Sequence, residues 1–364
     1  VNAADRVERL EVSAFTVPTD GAESDGTLAW DRTTLVVVEA IGAGRAGLGY
    51  TYADRATATL VHEKLAGAVA GADAMAVTAA HGAMLHAVRN LGRPGIASMA
   101  LSAVDAALWD LKARILGVAL VDLLGPVRDR VPLYGSGGFT SYSRDRLARQ
   151  LGGWAAGGFA RVKMKVGRDP AHDVERVRWA REAVGPDVEI FVDANGAYGR
   201  KQALTMAERF AELGVRWFEE PVSSDDLPGL RLIRDRAPAG VDIAAGEYGY
   251  DPFYFRRMID AGAVDVLQAD ATRCGGVTGI ARVAALCEAH AIPLSAHCAP
   301  SLHAHVGCAL GPLVHLEYFH DHARIEHMLF DGVLDPTGGA LVPDRTRPGA
   351  GLVLRRADAA SFAA

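Results

Sequence analysis

The feature that most constrains this chain is a series of short apolar, strand-like runs, each closed by a polar residue suited to chemistry. The run 161–166 carries Lys163 and Lys165, and the runs 189–193, 215–219 and 242–247 end in Asp193, Glu219 and Glu247. The runs 264–270, 292–297 and 313–317 follow, ending in Asp270, His297 and Glu317. Successive ends are roughly 20 to 28 residues apart, the length of one strand, one helix and two loops in a (β/α) barrel. In that architecture every strand delivers its C-terminal end to one mouth. Residues far apart in the chain would meet there.

Residues 131–138 supply a further strand-like run, making eight, and the segments 173–183, 201–213 and 276–290 between runs read as helices. A doubly wound open sheet is the rival arrangement, but no G-x-G-x-x-G follows an early strand. Residues 1–125 read differently. Strand-like runs at 9–15 and 33–40 flank a polar stretch, 18–27, rich in turn formers, and an Ala- and Leu-rich helical region follows, clearest at 97–112. Strands followed by helices indicate an α+β domain of its own. A chain of 364 residues accommodates both, with the barrel at 126–334 and an irregular Gly- and Pro-rich tail, 335–364, expected to return to the first domain.

The composition excludes several functions. A net charge of −6 without a Lys/Arg run argues against nucleic-acid binding. No apolar stretch approaches the roughly 18 residues of a membrane span, and the first residues lack the layout of a secretory signal. The four cysteines, Cys274, Cys287, Cys298 and Cys308, lack paired spacing. Reduced thiols in a cytoplasmic protein are therefore expected, rather than disulfides or a structural zinc site.

Asp193, Glu219 and Glu247 close three successive strands, and an oxygen-only set on rigid strand ends suits a hard divalent cation, Mg²⁺. Glu220, one position beyond Glu219, is placed by strand alternation on the opposite side. Lys163 and Lys165, two apart, share one face of their strand. Barrel interiors are filled mainly by branched apolar side chains, so two inward lysines imply a charge to serve. An amine beside a second cation and a metal can act as a base near neutrality. Asp270 and His297 close neighbouring strands, and a carboxylate on the imidazole would fix its tautomer and make a second acid/base group opposite the lysines. Glu317 points to the same mouth, where it could be protonated and donate to an oxyanion, or simply pair with a lysine. Asn195, in the loop after Asp193, is short enough to reach a ligand. Asp20, within the polar stretch, and Tyr50 are candidate substrate contacts, with Tyr52 beside them; packing is the alternative for the tyrosines and a solvated turn for the stretch. His303 and His305 read as structural or rim residues.

Taken in order, Lys163-x-Lys165, Asp193-x-Asn195, Glu219-Glu220-Pro221, Gly246-Glu247, Asp270, His297 and Glu317 resemble the enolase superfamily, and within it the mandelate racemase subgroup. The segment from Ser102 to Asp110 is similar to the helix that closes the family's capping domain. The resemblance covers essentially the whole chain. It implies a modified TIM barrel, (β/α)7β, under an α+β capping domain, and an enzyme that abstracts the proton α to a carboxylate through an enediolate. It further implies Mg²⁺ on Asp193, Glu219 and Glu247, an acid/base pair of Lys165 and His297, and Lys163 near the substrate carboxylate. Asp270 would orient His297, and Glu317 would hydrogen-bond a carboxylate oxygen. Dehydration of an acid sugar to a 2-keto-3-deoxy acid is the favoured outcome, with racemisation or epimerisation of a hydroxy acid next. A non-catalytic binding scaffold is the third reading. The expected partner is a small carboxylate, and homo-oligomers are common among such proteins.

Overall fold

The structure, a computed structural model, describes residues 5–364. Its first sheet is antiparallel, with strands β1 (Val7–Ser24), β2 (Ala29–Gly42) and β3 (Arg45–Tyr52) in that order. The central strand explains the unbroken apolar run 35–38. Leu35 and Val37 pack into the large core shared with the barrel, whereas Val38 and Ala40 pack into a second core with the cap helices. Both faces of β2 are covered, so alternation gives way to a continuous apolar stretch.

The polar stretch 18–27 is not the loop that its turn formers suggest. β1 continues to Ser24, with a register shift between Pro18 and Glu23. β1 is an edge strand, where a proline and a bulge are both tolerated. The chain reverses only at 25–28, where Asp25 Oδ1 accepts from the backbone N–H groups of Thr27 (2.6 Å) and Leu28 (2.7 Å). The hairpin tip rests on the barrel: a Cβ on Gly26 would lie 2.5 Å from the carbonyl oxygen of Ala194 and 2.7 Å from that of Val166. Beside the tip Glu23 is buried; Oε2 accepts from Trp30 Nε1 at 2.9 Å and Oε1 has no partner. Burial, reinforced by the nearby Asp321 carboxylate, pushes its carboxyl up to about 8.

Eight parallel strands form the barrel: β4 (Val131–Gly137), β5 (Arg161–Lys165), β6 (Glu189–Asp193), β7 (Val215–Glu219), β8 (Asp242–Ala245), β9 (Val266–Ala269), β10 (Leu294–Ala296) and β11 (Leu313–Phe319). β11 pairs with β4 and closes the ring. Helices follow each strand, among them Asp173–Val184, Arg200–Glu212 and Gly276–Ala289, within a residue or so of the sequence reading. Inside, Tyr134, Phe191, Trp217, Ala244 and Val266 make an apolar plug. Phe191, Trp217 and His315 lie two positions before Asp193, Glu219 and Glu317, so strand periodicity stacks the acidic mouth directly on an aromatic floor.

The cap helix Ile96–Leu116 ties the two parts together at the loop after β9. Ser102 Oγ accepts from Gly275 N (2.8 Å), Asp105 Oδ1 from Thr278 N (2.9 Å), and Trp109 Nε1 donates to Thr278 Oγ1 (2.9 Å). The tail divides its contacts. Of its short strands, β13 (Ala340–Leu341) pairs with β4, and β14 (Val353–Leu354) pairs with β12 (Phe330–Asp331), just before the tail. Beyond β13 it reaches the cap: Ala350 N donates to Asp110 Oδ1 at 2.6 Å, and Ala363 bridges to Phe15.

Two predictions follow from this packing. Gly246 has φ +140°, and a Cβ there would lie 2.1 Å from the carbonyl oxygen of Gln268. Gly246→Ala should therefore destabilise the fold by about 2–4 kcal/mol, read as a lowered denaturant midpoint. For Glu23, the folded carboxyl at about 8 lies above its unfolded value, so its contribution is full in mild acid and lost as pH rises through 8. Unfolding at pH 5 and pH 8.5 should show a smaller loss of stability for Glu23→Gln than for the parent chain.

Candidate active site

The strand ends do converge. Asp193 and Glu219 are the last residues of β6 and β7, paired across the ladder. Glu247 stands beyond the end of β8, after the left-handed Gly246, which turns the chain so that the acid rejoins the other two. One oxygen from each of the three lies within 4.8 Å of the others, and all three residues are buried. Burial and the neighbouring Asp193 push Glu219 up to about 8. Three buried carboxylates this close repel one another, and a divalent cation is the group that relieves them. The fit is to a hard, oxygen-seeking ion: Asp193, Glu219 and Glu247 would hold Mg²⁺.

Lys163 and Lys165 project from β5 into this cluster, both buried. Lys163 Nζ donates to both Glu219 oxygens (2.7 and 2.8 Å) and lies 2.8 Å from Glu317 Oε1. Lys165 Nζ contacts Asp193 Oδ2 at 2.5 Å. Burial works against both charges, yet Glu219 beside Lys163 and Asp193 beside Lys165 raise the two ammonium groups above their ordinary range. The protein's own carboxylates thus favour the ammonium form of Lys165, whereas the free amine expected from the sequence is one beside a bound metal. A cation on the same carboxylates would withdraw that support and favour the free amine.

On the opposite flank, His297 Nδ1 is 2.8 Å from Asp270 Oδ2, and His297 Nε2 is 3.2 Å from Glu247 Oε2. Burial opposes the imidazolium, but the acidic groups around it, Cys298, Glu247 and Glu317, outweigh burial and raise the ring well above its ordinary range. Asp270 is held well below the carboxylate range by its bond to His297, against the effect of burial. His303, read as structural or rim, is buried in the helix Pro300–Ala309 that follows β10. Its Nε2 accepts from Ala271 N at 2.9 Å, which leaves Nδ1 to donate to the carbonyl oxygen of Cys298 at 2.7 Å.

Several expectations are corrected. Glu317 takes the second of its two readings, a pair with a lysine: Oε1 lies 2.8 Å from Lys163 Nζ, and Lys163 and His297 lower its carboxyl against burial. Glu220 is not turned away by alternation, because β7 has ended and its φ is +39°. It is buried close to Glu247 and Asp193, and burial followed by those two charges raises its carboxyl strongly. Tyr50 does not present its hydroxyl to a ligand; it is buried and donates to Glu326 Oε1 at 2.6 Å. Tyr52 stacks on His322 with ring centroids 3.3 Å apart. Asp20 is part-exposed but already engaged, 2.8 Å from Arg146 and 2.9 Å from His320. Asn195 bends back with φ +46°; its backbone N–H donates to Asp193 Oδ1 at 2.9 Å, while its buried side-chain oxygen has no partner.

Two site residues carried no sequence signal. Arg273 Nη1 donates to the carbonyl oxygen of Glu247 at 3.1 Å, and its guanidinium lies 3.9 Å from Glu247 Oε1 and 3.8 Å from Asp270 Oδ2. It bridges Glu247 and Asp270, the partner of His297. Cys298 places its sulfur 3.3 Å from His297 Nε2 and 3.4 Å from Glu317 Oε2. Neither a lone arginine in a loop nor a lone cysteine announces such contacts.

Known proteins share this fold. Residues 146–359 match the family model for an enolase C-terminal domain-like fold, and residues 23–125 match the mandelate racemase/muconate lactonizing enzyme N-terminal domain. The chain is 34% identical over 359 residues to a 3,6-anhydro-alpha-L-galactonate cycloisomerase of Streptomyces coelicolor, spanning 96% of this chain and 97% of that one. The crystal structure of a mandelate racemase/muconate lactonizing enzyme-like protein from Rubrobacter xylanophilus superposes with a TM-score of 0.97 at 60% identity, covering 99% and 100% of the two chains. The L-talarate/galactarate dehydratase of Salmonella typhimurium, solved with Mg and L-lyxarohydroxamate, superposes with a TM-score of 0.90 at 27% identity, over 99% of this chain and 93% of that one. With both family domains matched in order and the acidic mouth in place, this chain belongs to the mandelate racemase/muconate lactonizing enzyme family of the enolase superfamily.

Proposed function

We propose that this enzyme removes the proton α to the carboxylate of an acid sugar and then expels the β-hydroxyl as water, giving a 2-keto-3-deoxy acid. The observation that carries the reading is the placement of two proton carriers on opposite flanks of one acidic triad: Lys165 against Asp193, and His297 against Glu247. Bound Mg²⁺ supplies Lewis-acid stabilisation of negative charge on the substrate carboxylate. Lys163, already a donor to two carboxylates, is suited to hold a substrate carboxylate oxygen. Lys165 takes the α-proton, generating an enediolate, and His297, kept protonated by Asp270 and its acidic neighbours, delivers a proton to the leaving oxygen. Relatives named as dehydratases of talarate/galactarate, rhamnonate and arabinonate support an acid-sugar substrate. The four free, buried thiols support a cytoplasmic location.

A second reading is favoured by the full-length similarity to a cycloisomerase. If the leaving oxygen belongs to a ring of the substrate, the same two proton transfers open the ring and no water is lost. Mass separates the two, and inverted configuration without a ketone would mean racemisation instead.

A panel of mono- and diacid sugars in D₂O with added Mg²⁺ should show α-deuterium incorporation and, for the true substrate, a new ketone signal with loss of water. Lys165→Ala should cut exchange from one stereochemical series by about 10²–10⁴-fold while His297→Asn leaves that exchange in place. Equal loss in both variants would contradict their opposed roles. Exhaustive chelation should reduce exchange to background; undiminished turnover without a divalent cation would overturn the reading.

A further inference from the structure

Cys298 has no part in the chemistry above, yet its thiol stands inside the site. Residues 298 and 299 are consecutive non-glycines with φ +52° and +43°, a conformation that costs free energy and persists only where the surroundings impose it. Here His303 imposes it, tying the carbonyl of Cys298 to the loop after β9. The turn brings the sulfur to the Nε2 edge of His297. Sγ lies 3.3 Å from His297 Nε2 and 3.4 Å from Glu317 Oε2, and those two atoms are 3.6 Å apart. All three residues are buried.

We propose that His297, Cys298 and Glu317 form a second cation site, selective for Zn²⁺ or a similarly thiophilic divalent ion over Mg²⁺. Three arguments converge. Nitrogen, sulfur and oxygen are the donor types of zinc, whereas Mg²⁺ prefers oxygen alone. Zinc–ligand bonds of about 2.0–2.3 Å in a tetrahedron place neighbouring ligand atoms about 3.3–3.8 Å apart, and the observed triangle has nearly those edges. The imidazole is also prepared: its Nδ1 is engaged by Asp270, which leaves Nε2 as the ligand atom, the carboxylate–histidine–zinc arrangement. Glu247 Oε2, 3.2 Å from the same nitrogen, adds negative charge at the edge of the site. On binding, the Cys298 thiol and the Nε2–H of the His297 imidazolium each release a proton to solvent, and the sulfur joins the metal as thiolate beside a neutral imidazole. This differs from a structural zinc site read from cysteine spacing, because the third ligand comes from β11. Zinc there occupies the nitrogen assigned above to proton delivery, so micromolar zinc should inhibit the Mg²⁺ enzyme. That consequence rests on the proposed function; the binding itself does not.

The test is a cobalt titration of the full chain in saturating Mg²⁺. Co²⁺ should produce the near-ultraviolet thiolate-to-cobalt absorption together with visible tetrahedral bands, and Zn²⁺ should bleach them. Cys298→Ser should abolish the thiolate absorption and weaken Zn²⁺ binding at least about tenfold in competition with a chromophoric chelator, while Mg²⁺ binding and the Cys274→Ser control are unaltered. His297→Gln provides a second variant, with a loss of Zn²⁺ affinity of similar size. Absence of the thiolate absorption in the folded parent chain would overturn the proposal. So would its persistence in Cys298→Ser, or Zn²⁺ affinity unchanged in both variants.

Discussion

Everything at the mouth of this barrel depends on the balance of buried charge. Asp193, Glu219 and Glu247 are packed within reach of a single ion, far closer than isolated carboxylates tolerate out of water. Lys163 lies on Glu219, Lys165 on Asp193, and Arg273 and His297 both on Glu247, which makes the arrangement affordable. The same contacts that hold the fold together therefore set the protonation of the groups that act. Structure and chemistry share one electrostatic account.

That balance is maintained by packing at some distance from it. The aromatic plug of Tyr134, Phe191 and Trp217 fills the barrel beneath the acids and excludes water from below. Trp217 also donates its indole N–H to Glu219 Oε2 at 2.9 Å, so the floor orients an acid as well as supporting it. From above, the hairpin tip at Gly26 lies on the loops after β5 and β6, and the cap helix fastens the loop after β9. The loops bearing Asn195 and Arg273 are thus held from both sides, as a site built for preorganised charge requires.

The sequence was most legible where a short-range rule applies. Two lysines spaced by two residues must share a face of a strand, and both are buried in the barrel interior. Acids closing successive apolar runs must meet if those runs form one closed ring. Helix positions followed from periodicity, and the strand-like run 33–40 falls within β2. It was least legible where a local rule had lapsed. Alternation misplaced Glu220 because the strand ends one residue earlier, and turn formers misread 18–27 because an edge strand accommodates them. Tyr50 was misplaced for a different reason: which partner a buried hydroxyl finds depends on a helix almost the whole chain away.

By itself, the amino-acid sequence determined the architecture and which acids, amines and imidazole close its strands, since these rest on periodicity and on the chemical character of side chains at strand ends. Only the tertiary structure decided protonation and pairing. Whether Glu317 donates or accepts depends on a lysine six strands away along the chain's order but adjacent across the closing seam of the barrel by way of β4. Whether Cys298 is inert or faces a histidine and a glutamate depends on two left-handed residues and the histidine that holds them. Such outcomes come from long-range electrostatics and from backbone turns imposed by distant contacts, and neither leaves a periodic trace in the chain.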